Sequence, residues 1–340
     1  MPRTERIGLW AALFAFGVLA SGCGPRQEKA AQSAQPAAAG PRLAAAPGVE
    51  IISVDQDMRA RRNAGSLEKV KDGVPVARGA FPSTVGIARY PGRMPSCTGV
   101  LIAPDVVLTA AHCICGVVGP DNGPAYANIY KGDDPNIAGG LYHLITHYES
   151  AIACRGWEVQ RTPATHPRDA LKAPRDLAIL RLRRPVAGVA PATYAPDAVV
   201  TGARTYRVVG FGAIDENARV YTYDKREAEV PAASNDCRGR RDDQPNGPTD
   251  EAYFRCQPGQ EIVAGQRRSP DSCNGDSGGP LFVSAAGQGH GVPDEQYLLA
   301  GITSRGVASS EAACGYGGVY ERLTPEARAW IRGAQQRLKR

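Results

Sequence analysis

The feature that most constrains the fold is a series of short apolar runs that begins at Val70. Each run is bounded by Gly, Pro or Asp, a texture typical of strands joined by turns. The chain has 340 residues with 39 Gly, 27 Pro and only 6% aromatic residues, and this composition also favours strands and turns. The sequence therefore predicts an all-β domain whose strands include Thr98–Ile102, Val106–Ala110, Leu177–Leu182, Tyr206–Val209, Pro280–Val283 and Leu298–Thr303.

The last stretch of the chain, about 324–338, predicts an amphipathic helix. Thr324 is a capping residue, and Pro325 suits the first helical position. The apolar residues spaced on one side are Ala327, Trp330, Ile331 and Leu338.

The N-terminus is typical of a secretory signal peptide, predicted over residues 1–22. Arg3 and Arg6 precede an apolar run from Ile7 to Ala20, which small residues follow. The run is shorter than the roughly 20 residues of a spanning helix. The sequence therefore predicts an exported protein without an integral transmembrane segment.

The end of the signal peptide, Ala20-Ser-Gly-Cys23, is similar to a bacterial lipobox, although Ala20 stands where Leu is usual. Simple cleavage after Gly22 is the alternative. Nine cysteines minus a lipidated Cys23 leave an even number, which suits disulfides in an oxidising compartment. This parity favours a lipid anchor on Cys23 and a periplasmic or cell-surface lipoprotein of a bacterial membrane; without lipidation the protein is secreted.

Two segments separate the signal peptide from the strands. Residues 23–46 are rich in Ala, Gln, Pro and Gly without periodicity, which predicts a flexible tether. Residues 47–69 are mixed and charged, and are predicted to be a pro-segment. The net charge of +6 is modest. The basic residues are scattered along the chain, which suggests solvated loops and no nucleic-acid partner. The oligomeric state stays open.

Three motifs carry the chemistry, and they occur in the order His, Asp, Ser. They are Leu108-Thr-Ala-Ala-His-Cys113, Arg175-Asp-Leu-Ala-Ile-Leu-Arg-Leu182 and Asp271-Ser-Cys-Asn-Gly-Asp-Ser-Gly-Gly-Pro280. A lone histidine after a strand, a turn aspartate or a glycine-rich loop each has an ordinary structural explanation. Together the motifs closely resemble those of trypsin-like serine proteases, and their order is that of the chymotrypsin template.

This resemblance covers Val70 to about Arg340. It implies two packed antiparallel six-stranded β-barrels, over about 83–195 and 196–323, with the active site between them and a C-terminal helix.

The resemblance also implies a role for each motif. Ser277 is the nucleophile, His112 the general base, and Asp176 orients the histidine. The backbone N–H groups of Gly275 and Ser277 form the oxyanion hole.

The resemblance further implies a pocket for Arg or Lys, with Asp271 at its base. The other substrate-binding residues are Ser272, Ser304, Gly306 and Gly318. Arg305 departs from the family, which has Trp there, so preferences two or more residues before the scissile bond do not carry over.

The segment from Val70 to Pro82 resembles the N-terminus that the family creates by activation cleavage. It implies cleavage between Lys69 and Val70, after which the free α-ammonium pairs with Asp276. Lys71 and Asp72 depart from the apolar residue and glycine of the family. The alternative is a constitutively active chain in which this segment is only a linker and first strand.

The family's disulfide pattern implies the pairs Cys97–Cys113, Cys237–Cys256 and Cys273–Cys314. Cys115 and Cys154 remain, and a bridge between them would fold an insertion into its own loop.

The same insertion holds His143 and His147, which on a helix would face one side and could bind a metal. No adjacent glutamate completes a metalloprotease motif, and paired surface histidines are the commoner explanation. No metal and no other cofactor is predicted.

The sequence thus predicts a serine endopeptidase acting on protein or peptide substrates. The main alternative is a catalytically silent protease-fold binding protein, a class that usually shows a broken triad or a lost oxyanion glycine. An esterase is the other alternative, but the order Ser, Asp, His on a strand-to-helix elbow is absent.

Overall fold

Fifteen strands and four helices make up the part of the chain that the computed structural model describes. The described residues are 50–52, 73–88, 90, 93–114, 125–129, 141–151, 175–222, 224–240, 247–285, 296–307 and 312–339. The strands are β1 (Glu50–Ile52), β2 (Val74–Pro75), β3 (Thr84–Ala88), β4 (Cys97–Ala103), β5 (Val106–Thr109), β6 (Ala125–Ile129), β7 (Leu141–Ser150), β8 (Ala178–Leu182), β9 (Thr205–Gly210), β10 (Val220–Thr222), β11 (Arg226–Ser234), β12 (Glu261–Ala264), β13 (Pro280–Ser284), β14 (Tyr297–Gly306) and β15 (Gly318–Arg322). The helices are α1 (Ala111–Cys113), α2 (Asp197–Thr201), α3 (Asp250–Phe254) and α4 (Pro325–Arg337).

Six strands of the first half close into an antiparallel barrel in the order β3, β4, β5, β8, β7, β6. Strands that follow each other closely in the chain pair directly, as short runs separated by turns favour. The barrel is filled by fully buried aliphatic side chains that include Val85, Val100, Leu108 and Ile179. The pairing of β5 with β8 sets Thr109 opposite Ala178, and this register brings the residues just beyond both strands together.

The second half forms a seven-stranded antiparallel sheet in the order β12, β15, β14, β13, β9, β11, β2. Because β12 also pairs with β11, six of these strands form a ring of pairings, with β2 added at the side. Tyr206, Ile262, Leu281 and Tyr320 are buried inside it. The predicted all-β fold is confirmed: the first half is a closed six-stranded barrel, and the second half is a sheet with six strands in a ring of pairings, called the second barrel below.

Apolar side chains join the two barrels. Phe81 and Phe282 stack with ring centroids 5.4 Å apart, and one hydrophobic cluster runs from the first barrel to Ile302 of β14. Burial of this shared surface holds the two barrels together.

The C-terminal helix is also confirmed. Thr324 caps α4 by accepting a hydrogen bond from the N–H of Ala327, and Pro325 stands at the first helical position. Ala327, Ile331 and Ala334 are buried against the core shared by the barrels. None of the helices among the described residues has the length and apolar character needed to cross a membrane.

Two N-terminal strands pair with the second half of the chain. β1 lies within the predicted pro-segment and pairs in parallel with β10, with Ile51 opposite Tyr221. β2 pairs with the start of β11. The segment that follows the predicted cleavage site is therefore fastened to the second barrel from Val74 onward.

The two histidines of the insertion lie in strand β7, so the helical arrangement considered for them is wrong. Nδ1 of His143 lies 3.1 Å from the carbonyl oxygen of Arg184. Residues four apart in a strand are separated by about 13 Å, which is too far for two ligands of one ion.

Three disulfides join the predicted partners. They are Cys97–Cys113, Cys237–Cys256 and Cys273–Cys314. Cys23, Cys115 and Cys154 lie outside the described residues, as do Lys69 and Val70.

Candidate active site

His112 and Asp176 are held together at the rim of the first barrel. His112 lies in α1, directly after β5, and Asp176 comes just before β8, the strand that pairs with β5. His112 Nδ1 lies 2.8 Å from Asp176 Oδ2, and the backbone N–H of His112 donates to Oδ1 at 3.0 Å. A carboxylate can only accept, so Nδ1 carries the proton and Nε2 is left as the basic nitrogen.

The carboxylate of Asp176 is buried and fully engaged. The hydroxyl of Ser304 donates to Oδ2 at 2.7 Å, and the residue is only 5% exposed. Burial acts to raise the pKa of Asp176, but the charge of His112 and the hydrogen bonds from His112 and Ser304 outweigh it and lower the pKa below its ordinary value. Asp176 is therefore ionised at neutral pH and stabilises a positive charge on His112.

The loop that carries Ser277 packs against the segment that carries His112. The carbonyl oxygen of Ser277 accepts from the N–H of Thr98 at 2.9 Å, and the N–H of Gly278 donates to Thr303 at 2.8 Å. A Cβ atom on Gly278 would lie 2.0 Å from Thr109 Oγ1 and 2.8 Å from the nitrogen of Ala110. Only glycine permits this approach, which sets Ser277 beside the rim where His112 lies.

Thr98 is a site residue that the sequence did not single out. Its side chain is fully buried, and its hydroxyl donates to the carbonyl oxygen of Gly275 at 2.8 Å. The N–H of Phe211 lies 3.3 Å from the same hydroxyl oxygen. Its position in β4, directly after Cys97, was the available signal, but a threonine in an apolar strand is normally an ordinary strand residue.

The backbone at Gly275 has a left-handed conformation and packs closely against Gly212. Gly275 has a φ of +99°, and a Cβ there would lie 3.0 Å from the Cα of Gly212, so a side chain is excluded on both grounds. Neither the N–H of Gly275 nor that of Ser277 donates to a backbone carbonyl among the described residues. Both donors are therefore available to a developing negative charge.

Asp276, next to Ser277, is buried, and no cation among the described residues pairs with it. Its carboxylate accepts from the N–H groups of Gly212 at 2.7 Å and Cys273 at 2.9 Å, and no cationic side chain among the described residues forms an ion pair with it. Burial raises the pKa of Asp276 to about 7, and the charge of Asp271 adds to this against the two N–H bonds. Gly210 and Gly212 make room for the group, since a Cβ at either would lie within 2.4 Å of a carboxylate oxygen.

Asp271 is a second buried carboxyl of the loop that carries Ser277, only 1% exposed. Its Oδ2 accepts from the N–H groups of Gly315 and Gly317, each at 3.0 Å. Its Oδ1 has no hydrogen-bond partner within the described part of the chain. Burial raises the pKa of Asp271 to about 6, which the backbone hydrogen bonds only partly offset. The free oxygen is where a cationic ligand would be stabilised.

Ser272, Gly306 and Gly318 lie on the elements around Asp271. The hydroxyl of Tyr320 donates to Ser272 Oγ at 3.1 Å, and a Cβ on Gly318 would lie 2.7 Å from both of these oxygens. Ser304 differs from the other predicted substrate-binding residues, because its hydroxyl contacts Asp176 and leaves only its backbone for a substrate.

The sulfurs of Cys97 and Cys113 lie close to His112, and the three ligand atoms fall within 4.8 Å of one another. The cysteines are joined in a disulfide, so they have no thiolate to offer a metal ion.

Comparisons with known proteins give the family and the fold of this chain. The family model described as Trypsin matches residues 70–331. Serine protease 56 of Mus musculus is 30% identical over 266 residues, 75% of this chain but 37% of that protein. Trypsin of Saccharopolyspora erythraea is 28% identical over 249 residues, 71% of this chain and 88% of that protein. The chain thus spans little more than a third of the mouse relative's length.

The fold is also that of a solved protease. The structure of neuropsin, a serine protease expressed in the limbic system of mouse brain, matches with a TM-score of 0.53 at 22% identity, over 78% of this chain and 99% of that chain. This likeness defines the class as a double β-barrel of the chymotrypsin type. Because the family model covers more than half of the residues, the chain belongs to the trypsin family of serine proteases.

Proposed function

We propose that the protein is a serine endopeptidase that hydrolyses peptide bonds after Arg or Lys. The observation that carries the proposal is the buried His112–Asp176 pair, with the loop of Ser277 packed on the same rim. Paired in this way, a histidine can activate a neighbouring hydroxyl at neutral pH. The substrates are proteins or peptides, and the chemistry needs no cofactor.

The reaction follows from the positions of these groups. Ser277 Oγ attacks the scissile carbonyl while Nε2 of His112 takes the hydroxyl proton. The N–H groups of Gly275 and Ser277 stabilise the oxyanion, and Asp176 stabilises the charged imidazole. His112 then returns the proton to the leaving amine, which departs and leaves an acyl-enzyme. Water attacks the acyl-enzyme with His112 again as base, and Ser277 is restored.

Specificity for Arg or Lys rests on the buried carboxyl of Asp271. Its Oδ1 lacks a partner among the described residues, so a guanidinium or ammonium group would satisfy it and restore its ionised form. Gly306 and Gly318 leave the pocket wall without side chains, and Ser272 offers a hydroxyl. An apolar side chain would leave the carboxyl unpaired and should be rejected strongly.

Activation by cleavage between Lys69 and Val70 is supported by the state of Asp276. A buried carboxyl without a cation is unfavourable, and its raised pKa reflects that cost. An α-ammonium freed at Val70 would supply the positive charge. The pairing of β2 with β11 fastens the chain only a few residues further on. Because Lys69 precedes the bond, an enzyme specific for Lys could process itself.

The proposed location is the bacterial periplasm or cell surface, with a lipid on Cys23 as the membrane anchor. The three disulfides support an oxidising compartment. Release of glycerol-lipid-modified peptide after digestion, lost in Cys23→Ser, would test the anchor.

A serine-directed phosphonylating reagent tests the proposed activity. It should label Ser277 in the processed protein, because only a base-activated hydroxyl reacts at neutral pH. His112→Ala should abolish labelling, whereas the control His143→Ala should not, since His143 lies in β7. N-terminal sequencing of the labelled species should begin at Val70, and Lys69→Gln should block both processing and labelling.

Two results would count against parts of this proposal. A processed protein with intact disulfides that neither labels nor cleaves peptides would favour the catalytically silent binding protein. Full activity in a chain that keeps residues before Val70 would favour the constitutively active alternative.

A further inference from the structure

A cluster of buried charged side chains lies behind the candidate triad and has no part in the chemistry above. Glu261 and Glu321 are directly opposite each other on β12 and β15, and they are 1% and 3% exposed. Two carboxylates that face each other across a sheet repel, and burial strengthens the repulsion. Burying both carboxylates therefore requires nearby groups that reduce this repulsion.

Glu321 contacts the backbone of the catalytic-aspartate candidate. Its Oε1 accepts from the N–H of Asp176 at 2.9 Å. That peptide group belongs to the residue whose carboxylate contacts His112. Oε2 of Glu321 is buried without a hydrogen-bond partner in the described part of the chain.

Arg305, which stands where the family has Trp, forms an ion pair with the other carboxylate, that of Glu261. Its Nη1 and Nη2 donate to the two oxygens of Glu261 at 2.6 and 2.8 Å, and Nη2 also donates to the carbonyl of Arg255 at 2.9 Å. Such a two-fold pair fixes both side chains. The Arg305 side chain is 32% exposed, so this ion pair runs from the protein surface to the interior.

Because Arg305 pairs with Glu261, Glu321 is the carboxyl of the two that loses its charge by binding a proton. Burial, and after it the charge of Glu261, raise the pKa of Glu321 to about 8. The hydrogen bond from the Asp176 N–H and the charge of Arg175 oppose this shift, whereas the charge of Asp176 adds to it. At neutral pH Glu321 is mainly an uncharged acid. It can accept the Asp176 N–H without adding a negative charge behind the triad.

We propose that Glu321 is a positioning residue that fixes the backbone of Asp176, and that the Arg305–Glu261 ion pair allows it to be buried there. This inference rests on the proposed protease function. Glu321 acts through Asp176 and does not touch the substrate, so its loss should change turnover and leave binding intact.

Two substitutions separate the hydrogen bond from the bulk of the side chain. Glu321→Gln keeps the acceptor oxygen, and Glu321→Met has a similar length without it. In the processed enzyme, we expect kcat within about threefold of wild type for E321Q and about 10- to 100-fold lower for E321M, the size of effect that a small misplacement of a catalytic group produces. KM for a small arginine amide should stay within about twofold.

A control variant and a second measurement distinguish a positioning role of Glu321 from an effect on stability. Glu227→Gln breaks an ion pair with Arg207 on the neighbouring strands β11 and β9 and should leave kcat unchanged. The downfield proton resonance of His112 Nδ1–H should persist in E321Q and shift or broaden in E321M. A folded E321M with normal kcat and resonance would overturn the inference, as would equal losses in E321Q and E321M.

A further pair of variants tests the inference if E321M does not fold. Glu261→Gln releases Arg305, which can then pair with Glu321 and draw it from Asp176. We expect kcat to fall in E261Q and to recover in E261Q/E321Q, because Gln does not attract Arg305; unchanged kcat in a folded E261Q would contradict the role of the ion pair. If wild-type Ser277 is not labelled, the protease function fails, and the resonance alone then tests the contact.

Discussion

Single residues at the candidate site act through few, short contacts, and Thr98 shows how much one side chain can connect. Its N–H donates to the carbonyl oxygen of Ser277 and its hydroxyl to that of Gly275, so one residue of the first barrel holds both ends of the segment Gly275–Ser277. The same residue is packed against Gly279, whose Cβ position lies 3.0 Å from Thr98 Cγ2.

Thr98→Val should lower kcat by about 3- to 30-fold with KM nearly unchanged, because the isosteric methyl group fills the space but cannot donate a hydrogen bond to Gly275. The expected loss is smaller than that caused by removing an oxyanion donor itself. Thr98→Ser keeps the hydroxyl and should restore most of the rate. Steady-state kinetics on a small arginine substrate gives both constants. Equal rates for the Ser and Val variants would show that the hydroxyl is not needed.

Asp271→Ser should abolish cleavage after Arg and Lys, since the substitution removes the only proposed charge at the base of the pocket. Labelling of Ser277 should be spared, because Asp271 contacts the backbone of Gly315 and Gly317 and not the triad. A peptide library profiled with both enzymes measures the change. A parent enzyme that cleaves equally after Phe and Arg would contradict the assignment.

At the scale of elements, the site depends on how closely the Ser277 loop approaches β4 and β5. Gly278 has a φ of +80°, and its Cβ position lies 2.0 Å from Thr109 Oγ1 and 2.5 Å from the carbonyl oxygen of Thr98. Gly79 has the same φ but nothing within 4 Å of its Cβ position. Comparing substitutions at the two glycines therefore separates the cost of backbone strain from the cost of steric overlap.

Gly278→Ala should destabilise the protein by more than about 3 kcal/mol, because the methyl group must displace the backbone of β4. Gly79→Ala carries only the backbone penalty of about 1 kcal/mol. Urea unfolding with intact disulfides measures both. Similar losses in the two variants would mean that the loop can move away from the strands at little cost.

At the scale of the whole molecule, three buried carboxyls among the described residues have strongly raised pKa values and should dominate the response of stability to pH. The folded-state pKa is raised from 3.8 to about 6 in Asp271, from 3.8 to about 7 in Asp276 and from 4.5 to about 8 in Glu321. Between the ordinary and the raised pKa, the unfolded chain releases a proton that the folded chain keeps. Stability therefore falls as pH rises through this window. Asp176, whose pKa is lowered, contributes stability that is lost only in acid below 3.8.

The unprocessed protein should lose stability, on the order of several kcal/mol, as pH rises from about 4 to about 8. Glu321→Gln should flatten the upper part of this decline, whereas Glu227→Gln should not. Cleavage before Val70 should remove the contribution of Asp276, because its new partner favours the ionised form. Thermal unfolding across the pH range measures each effect, and stability that rises over this window would contradict the assignment.

Local patterns predicted much of the fold and most of the candidate site. The apolar run Val106–Ala110 matches β5 except for its last residue, and Leu298–Thr303 lies within β14, because each run carries its own strand preference and turn signals. Strands with mixed composition were not predicted: β11 begins with a buried Arg226, and β15 ends with buried charges. Such residues contradict a local pattern, and only their distant partners make burial possible.

The sequence by itself determined the identity of His112, Asp176 and Ser277 as the reactive candidates, the three disulfide pairs by family likeness, and the C-terminal helix. These features depend on residue type and short spacing along the chain. The tertiary structure alone decided that Thr98 holds the segment Gly275–Ser277 and that Glu321 lies against Asp176. Contacts between residues 177 and 145 positions apart arise from the packing of two barrels and leave no periodicity or motif in the chain.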